Sequence, residues 1–412
     1  MPRRHRVLTC SLAAVALLLP AARAESTLRV VTWNVTNYSG GRAADFETAI
    51  YGEFEGRSMS PDVIVCQEFV NASGVGSFVA ILNNAVAGPG DWAAADFVDG
   101  ANTDSALFYR TSRVQLATEL SPSGVTVVAE GGVSPLHPTN IMRYDLALAS
   151  GTSVEARLAV YSSHMKSGSD SDDRARRLLE AQRIRDDAEA LPAGWHFMLG
   201  GDFNIPSSGE QAYQELIGSQ PNNAGRFFDP INSIANWHNN AAYRFLHTQD
   251  PVWAMDDRFD QFIVSASLID GLGVDYIGNA AIPYSTSTWD DPHHSYRCWG
   301  NDGTSYDLPL TIAGNQMVGP LIAQALETSA VGGGHLPVLL DLRIPPCRGD
   351  VACDGDTDSA DLAAFLDCTT GPSDVSGFVS PSPECRSAFD WNEDQDVDLV
   401  DFRELQAQTS AK

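Results

Sequence analysis

Short apolar runs that end in a polar side chain alternate with stretches of helical periodicity along most of the chain. Apolar runs bounded by Gly or Pro predict buried β-strands. The run at 195–199 leads through Gly-Gly to Asp202-Phe-Asn204 and then to a proline. Because residues two apart in a strand point to the same face, we expect Asp202 and Asn204 to project together from a strand end. The same pattern is also typical of an Asx turn that closes a strand.

Several other predicted strands also begin or end at a polar residue. These polar residues are Asn34, Glu68, His164, Asp260 and His335. An acid such as Glu68 is also typical of a helix N-terminus. The predicted strands cover 28–35, 61–69, 105–110, 141–148, 155–166, 195–202, 261–265 and 332–342. The predicted helices cover 43–54, 71–86, 174–189, 211–217 and 320–329.

Strands outnumber helices in this pattern, and several strands return without room for a crossover helix. We therefore predict an α/β fold, a four-layer α/β sandwich in which two packed mixed β-sheets are flanked by helices. The polar strand ends would then line one edge of the sheets.

Composition and charge narrow the class of protein. The 412 residues have room for one large domain and a small one, and the formal net charge is -27. An acidic body argues against a protein that coats nucleic acid, which needs a basic surface. It does not exclude an enzyme with a local cationic cleft.

The N-terminus predicts export. Residues 1–24 combine a basic start, an apolar run and Ala22-Arg23-Ala24, which is the pattern of a cleaved signal peptide. No later apolar segment is long enough to cross a bilayer. We therefore expect a secreted or cell-surface protein with a main domain over 25–345 and a small module over 346–412. In such a chain the four tail cysteines predict two disulfides whose pairing the sequence leaves open: Cys347, Cys353, Cys368 and Cys385.

Six motifs in chain order resemble the endonuclease/exonuclease/phosphatase superfamily, which includes secreted deoxyribonucleases, sphingomyelinases and inositol phosphatases. The resemblance spans about residues 28–342. The motifs are Thr-Trp-Asn34, Gln-Glu68, Ser-His164-Met-Lys, Gly-Asp202-Phe-Asn204, Arg-Phe-Asp260-Gln-Phe and Gly-His335-Leu-Pro.

The resemblance implies a role for each matched residue. Glu68 is expected to bind Mg²⁺ or Mn²⁺ with help from Asn34, because hard cations prefer oxygen ligands. Asp202 is expected to orient or deprotonate the attacking water.

The other roles that the resemblance implies concern phosphate contacts. Asn204 is expected to hold the attacking water or a phosphate oxygen, and His164 and His335 are expected to donate to phosphoryl oxygens or pass a proton. Asp260 is expected to hold His335 in the useful tautomer. Further candidates are Asp104, in support of His164, and Arg143 as a phosphate contact, with Arg110 behind it.

One position departs from the family pattern. The family usually has an acid immediately before the last histidine, whereas this chain has Gly334. That acid often contributes to metal binding, so its absence argues against a second metal site and against full activity. Glycine also loosens the loop that orients His335.

The tail contains two related acidic segments, 350–361 and 390–401. Read as twelve-residue calcium loops, they resemble a dockerin-like pair of EF-hand loops that binds Ca²⁺, although Ala352 and Gln395 depart from the pattern. An acidic disordered tail is the alternative. The candidate ligands are Asp350, Asp354, Asp356, Asp358 and Asp361 in the first segment, and Asp390, Asn392, Asp394, Asp396, Asp398 and Asp401 in the second.

Taken together, the sequence predicts a secreted divalent-metal-dependent phosphodiesterase, and first of all a nuclease that hydrolyses extracellular DNA or RNA. One alternative is a sphingomyelinase-like or other phosphoesterase of the same fold. Another is a catalytically degenerate surface protein that only binds, which the glycine at 334 suggests. The tail module is expected to attach the enzyme to a cell-surface or scaffold partner, or to stabilise it.

Overall fold

A computed structural model describes residues 26–132, 139–148, 157–344, 348–350 and 357–410. The strands in these ranges are β1 (Ser26–Tyr38), β2 (Val63–Phe69), β3 (Trp92–Ala94), β4 (Asp104–Arg110), β5 (Val114–Leu116), β6 (Val125–Ala129), β7 (Ile141–Leu148), β8 (Arg157–His164), β9 (His196–Asp202), β10 (Phe227–Phe228), β11 (Asp260–Ser265), β12 (Asp275–Tyr276), β13 (Arg297–Cys298) and β14 (Val338–Ile344). The helices are α1 (Ala43–Tyr51), α2 (Ala72–Asn84), α3 (Ser171–Glu189), α4 (Gln211–Ile217), α5 (Gly319–Ser329), α6 (Ser359–Cys368), α7 (Pro383–Phe389) and α8 (Leu399–Ser410).

The strands form two sheets. The first has the order β12-β14-β1-β2-β4-β3, with β13 also paired to β14, and the second has the order β10-β11-β9-β8-β7-β5, with β6 also paired to β7. Each sheet contains one parallel pair, β1 with β2 and β8 with β9, among antiparallel neighbours. Both sheets are therefore mixed, as the sequence predicted.

Alternation along the strands assigns each side chain to a layer. Val30, Val63 and Val65 face the second sheet, where Val160 and Met198 meet them in a buried apolar cluster. The opposite face of the first sheet packs against α1, α2 and α5. The opposite face of the second sheet packs against α3 and α4. The predicted architecture of two packed sheets flanked by helices is confirmed.

Several element boundaries differ from the sequence prediction by a few residues, and two of these differences have a clear local reason. Helix α3 begins three residues earlier than predicted, because Asp170 and Asp173 form a reciprocal capping box at its N-terminus. Strand β14 begins only at Val338, because Gly332 and Gly334 have φ angles of 74° and 24°, outside the strand region.

The tail has a small apolar core of its own, made by side chains from α6, α7 and α8 and from the loop before α8. A disulfide joins Cys368 to Cys385, while Cys347 and Cys353 lie outside the described residues. The buried residues of this tail core are Phe365, Ala388, Phe389, Val397 and Leu405.

None of the helices in the described ranges is long and apolar enough to cross a membrane.

Candidate active site

Three polar residues lie side by side at one end of the second sheet. In strand register, Asp202 is opposite His164 on β8 and opposite Asp260 on β11. Asp202 and Asp260 are buried, and the side chain of His164 is 16% exposed. The sheet itself therefore fixes the spacing of an acid, a second acid and an imidazole.

The first sheet brings two further polar residues against this row. The Asn34 amide Nδ2 donates to Glu68 Oε1 at 2.9 Å and to Asp202 Oδ2 at 3.2 Å. Glu68 Oε2 accepts a hydrogen bond from the backbone N–H of Asn37 at 2.9 Å. Asn34 thus lies between the carboxylates of the two sheets, and the site straddles the gap between them.

His335, which precedes β14, completes the cluster. Its Nδ1 is 2.7 Å from Asp260 Oδ2, and its Nε2 is 3.6 Å from Asp202 Oδ2. The Trp33 indole N–H donates to the backbone carbonyl of His335 at 3.0 Å, which fixes the loop. Burial alone would lower the pKa of the His335 imidazole, but the carboxylates of Asp260 and Asp202 outweigh it and raise the pKa to about 10. His335 is therefore an imidazolium at neutral pH.

Asp202 Oδ2 is the common point of this arrangement. It accepts from Asn34 Nδ2, lies 3.6 Å from His335 Nε2 and lies 3.5 Å from His164 Nε2. The other nitrogen of His164, Nδ1, is 3.8 Å from Glu68 Oε1. Donors from both sheets therefore surround one buried carboxylate oxygen.

Two of the site residues have backbone conformations that side chains rarely adopt. Glu68 has φ 66° and Asn204 has φ 52°. The Asn204 N–H donates to Asp202 Oδ1 at 3.1 Å, and its Nδ2 donates to the Met165 carbonyl at 3.1 Å. Strained backbone of this kind costs stability and concentrates at functional sites, where the surrounding structure holds it in place.

Thr248 belongs to the site although the sequence analysis did not select it. Its Oγ1 donates to Asp260 Oδ2 at 2.6 Å, on the same oxygen that His335 contacts, and its backbone carbonyl accepts from Leu336 N at 2.9 Å. The same segment contains Asp250. Burial raises the pKa of the Asp250 carboxyl to about 6, although the charge of His335 acts to lower it. This segment has no periodic pattern, so nothing in the sequence marked either residue.

The arginines proposed from the sequence are not in the cluster. Arg143 is buried on the face of the second sheet that α3 covers, where it pairs with Asp145 at 2.8 Å and with Asp187 at 2.6 Å. Arg110 pairs with acids in other loops. Neither guanidinium is placed to contact a phosphate at Asp202, because each is already engaged by carboxylates elsewhere.

Asp104 lies at the start of β4, in register with Phe69. Its Oδ2 accepts from the backbone N–H of Gly100 at 2.6 Å. Burial raises the pKa of its carboxyl. Its predicted support of His164 stays a prediction.

The donor set of the central cluster is suited to a hard cation. Glu68, Asp202 and Asn34 offer carboxylate and amide oxygens, and no cysteine is present among them. Groups of three acidic or histidine residues whose ligand atoms lie within 4.8 Å of one another occur at two other places in the described residues, and the central cluster is not such a group. One is His238 with Asp256 and Asp257, and the other is Asp396 with Asp398 and Asp401.

The second acidic loop of the tail is closed by its own carboxylates. Asp390 accepts from Gln395 N at 3.0 Å, and the two oxygens of Asp401 accept from Trp391 N and Asp398 N. Asp396 is 1% exposed, and its Oδ1 has no hydrogen-bond partner.

The first acidic loop is only partly described. Asp354 and Asp356 lie outside the described residues, while Asp358 caps α6 and Asp361 completes its capping box.

Comparison with known proteins finds only distant structural matches. No protein-family model matches the chain, and no curated protein matches it. Among solved structures, zebrafish TDP2 complexed with a single-strand DNA product shares 14% identity over 77% of this chain and 100% of that one, with a TM-score of 0.44. The human Nocturnin catalytic domain shares 13% over 77% and 94%, with a TM-score of 0.44. A mannosyl-6-phosphatase from Bacteroides thetaiotaomicron shares 16% over 76% and 99%, with a TM-score of 0.41. At such identities and scores, the activity has to be argued from the geometry of the site.

Proposed function

We propose that the chain is a divalent-metal-dependent phosphodiesterase. The observation that supports this most directly is the convergence on Asp202 of residues from both sheets. One buried carboxylate oxygen faces an amide and two imidazoles, while a second carboxylate, Glu68, lies across the same amide. Hydrolysis of a phosphodiester requires a group that activates water and cationic groups around the phosphoryl oxygens, and this cluster supplies both.

Glu68 and Asn34 are the residues that would hold Mg²⁺ or Mn²⁺. Glu68 is held by Asn37 N–H and Asn34 Nδ2, and its side chain remains 14% exposed, so it is both oriented and reachable. Bound there, such an ion supplies Lewis-acid neutralisation of the phosphoryl charge.

The protein's own residues perform the remaining steps. Asp202 accepts the proton of the attacking water, and Asn204, fixed by its bond to Met165, orients that water or a phosphate oxygen. His335 donates from Nε2 to a non-bridging oxygen, because Asp260 holds its Nδ1 and keeps it protonated. His164 faces Asp202 from the other side and donates to a second oxygen or to the leaving group.

For the substrate, we propose a nucleic acid outside the cell, with a lipid or other small phosphodiester as the alternative. The N-terminal pattern supports export, and the Cys368–Cys385 disulfide fits an oxidising compartment. The net charge of -27 disfavours tight polyanion binding, so the substrate needs a direct test.

The test is hydrolysis of bis(p-nitrophenyl) phosphate and of plasmid DNA with Mg²⁺ or Mn²⁺, with and without EDTA. Asp202→Asn is the inactive comparison. Asp341→Asn is the matched control, because it removes the partly buried carboxylate on β14 that pairs with Arg29 on β1. Metal-dependent turnover of both substrates that only Asp202→Asn abolishes supports a nuclease. Turnover of the small diester alone supports another phosphodiester substrate. No turnover by folded protein favours a binding protein on this scaffold.

We also propose that the second tail loop binds Ca²⁺. The supporting observation is Asp396, a buried carboxylate with an unpartnered oxygen that lies within 4.8 Å of ligand atoms on Asp398 and Asp401. The other oxygen of Asp396 accepts from Ser373 N at 2.6 Å, so only Oδ1 lacks a hydrogen bond. A buried carboxylate oxygen without a partner is costly, and a cation bound to it would remove that cost. The loop would then stabilise the tail module for attachment to a surface or scaffold partner. Terbium luminescence sensitised by Trp391 and competed by Ca²⁺ should be lost in Asp396→Asn and kept in Asp374→Asn.

A further inference from the structure

A short series of hydrogen-bonded side chains connects the two sheets directly beneath the catalytic cluster. The Gln67 amide Nε2 donates to Ser162 Oγ at 3.0 Å, and the Ser162 hydroxyl donates to Ser105 Oγ at 2.8 Å. Gln67 and Ser105 belong to the first sheet, and Ser162 belongs to the second. Gln67 and Ser162 are fully buried and Ser105 is 3% exposed, so water does not compete for these bonds.

The distances single out one dominant hydrogen bond of the Gln67 side-chain amide in this series. Besides Ser162, Gln67 Nε2 has only longer contacts, at 3.3 Å to Thr32 Oγ1 and 3.4 Å to the Val65 carbonyl. Thr32 Oγ1 also lies 3.5 Å from Gln67 Oε1. The bond to Ser162 is therefore the shortest bond that the Gln67 amide makes, and it is the one that reaches the other sheet.

The sheets also approach each other closely at this level. A Cβ added to Gly200 on β9 would lie 3.1 Å from Thr32 Cβ on β1. Gly200 is in register with Ser162, and Gln67 is in register with Asn34. Below this level the facing side chains are apolar. Apolar contacts resist separation of the sheets but fix their relative position less sharply than directed hydrogen bonds do.

The residues of this hydrogen-bonded series lie one or two positions away in sequence from residues of the active site. Gln67 precedes Glu68, Ser162 lies two residues before His164, and β9 carries Asp202 two residues after Gly200. The site depends on distances across the sheets, such as 3.2 Å from Asn34 to Asp202. A shift of one sheet against the other would therefore change those distances directly.

We propose that Gln67 is a positioning residue, which through Ser162 sets the distance between the two halves of the active site. The inference rests on the proposed phosphodiesterase function. Gln67 touches no reacting atom and acts through Glu68 on its own strand and through His164 and Asp202 on the other sheet. Misplacement of catalytic groups by about 1 Å can cost about 100-fold in rate.

The experiment is a double-mutant cycle with Gln67→Met and Ser162→Ala. Gln67→Met removes the donor to Ser162 Oγ, and Ser162→Ala removes the nearest acceptor of Gln67 Nε2. Ser105 loses its donor both in Ser162→Ala and in the double variant, so that loss cancels in the comparison. If Gln67 and Ser162 are coupled, their two effects on the denaturation midpoint should therefore not add. Ser265→Ala is the control, because Ser265 is equally buried and accepts from Phe197 N at the opposite end of β9.

The kinetic readout separates positioning from stability. We expect kcat for bis(p-nitrophenyl) phosphate to fall about 10- to 100-fold in each single variant. KM and the Mn²⁺ dissociation constant should stay within about twofold, because Glu68 and Asn34 lie on one sheet. The double variant should regain stability but not kcat. Ser162→Ala, the smaller change, decides the kinetic question if Gln67→Met does not fold.

Three results would overturn the inference. Additive effects on unfolding would mean that Gln67 and Ser162 are not coupled. Recovery of kcat together with stability in the double variant would mean that the link is only structural. A similar kcat loss in Ser265→Ala would mean that any buried change between these strands has the same effect. If the unmodified protein hydrolyses no phosphoester, the proposed function fails first, and the role of Gln67 fails with it.

Discussion

The Asp260 carboxylate keeps His335 protonated, and Asp260→Asn tests this. The substitution keeps the size of the side chain and removes the charge that lies 2.7 Å from His335 Nδ1. It also leaves Thr248 in place, whose hydroxyl can still donate to the amide oxygen. The variant therefore changes the electrostatics of the imidazole more than its packing.

The magnitude follows from the pKa. A value of about 10, against an ordinary 6.5, corresponds to roughly 5 kcal/mol of preference for the protonated imidazole. The charge of Asp260 is the largest of the opposing contributions and that of Asp202 the next. We therefore expect the pKa of His335 to fall well below its value in the unmodified protein in Asp260→Asn, because the lowering effect of burial is then opposed mainly by the more distant carboxylate of Asp202.

The sign of the effect on stability follows by linkage. A folded-state pKa above the unfolded value gives stability that is fully present below about pH 6.5 and is lost as the pH rises towards about 10. The free energy of unfolding of the unmodified protein should fall by up to a few kcal/mol between about pH 7 and 10. In Asp260→Asn this part of the curve should be nearly flat.

The assay combines urea denaturation across this pH range with an NMR titration of labelled histidine in metal-free protein. The chain has nine histidines, so the signal of His335 is assigned by its loss in His335→Gln. Asp257→Asn is the control, because Asp257 is a buried acid that interacts with Asp202 and pairs with His238 instead of His335. A His335 signal that still titrates near pH 10 in Asp260→Asn would refute the assignment of Asp260 as its main partner.

Other expectations follow from the same geometry. Glu68→Gln should weaken Mn²⁺ binding about 100-fold, measured by calorimetry, because a charged oxygen ligand is lost. Thr248→Val should lower kcat about 10-fold with little change in KM, since it frees Asp260 to move. Gly334→Asp should destabilise the fold by about 2–4 kcal/mol in urea, because a Cβ there would lie 2.5 Å from Ala330 Cα. Gly332→Asp, at a positive φ with open space around it, should cost only about 1 kcal/mol.

The sequence predicted the layers and the strand-end cluster because both depend on local patterns. Apolar runs that end in polar residues predict where a strand stops, and residues two apart predict a shared face. Asp202 and Asn204 were selected on this basis, and the strand register then brings His164 and Asp260 beside Asp202. The site could be anticipated because its residues occupy ends of regular elements.

The features that the sequence did not predict depend on the tertiary structure. Thr248 lies in an irregular segment, and only the path of that segment past Asp260 gives it a role. Arg143 was the nearest candidate for the phosphate-binding arginine that the resemblance implies, yet its guanidinium pairs with Asp187, which lies on a helix that begins 28 residues later. Sequence spacing carries no information about which distant carboxylate will reach a given guanidinium.

The glycine before the last histidine changes the possible metal ligands more than it changes His335. The orientation and charge of the imidazole come from Asp260 and Asp202, and both are fixed by the pairing of β9 with β11. Gly334 contributes only backbone at φ 24°, in a space where no side chain fits without a shift of Ala330. The loop therefore fits glycine, and it lacks the carboxylate that the resemblance led us to expect at this position, while Asp250 still interacts electrostatically with His335. It follows that a defect caused by Gly334 would appear in metal affinity before it appeared in the chemistry of the histidine.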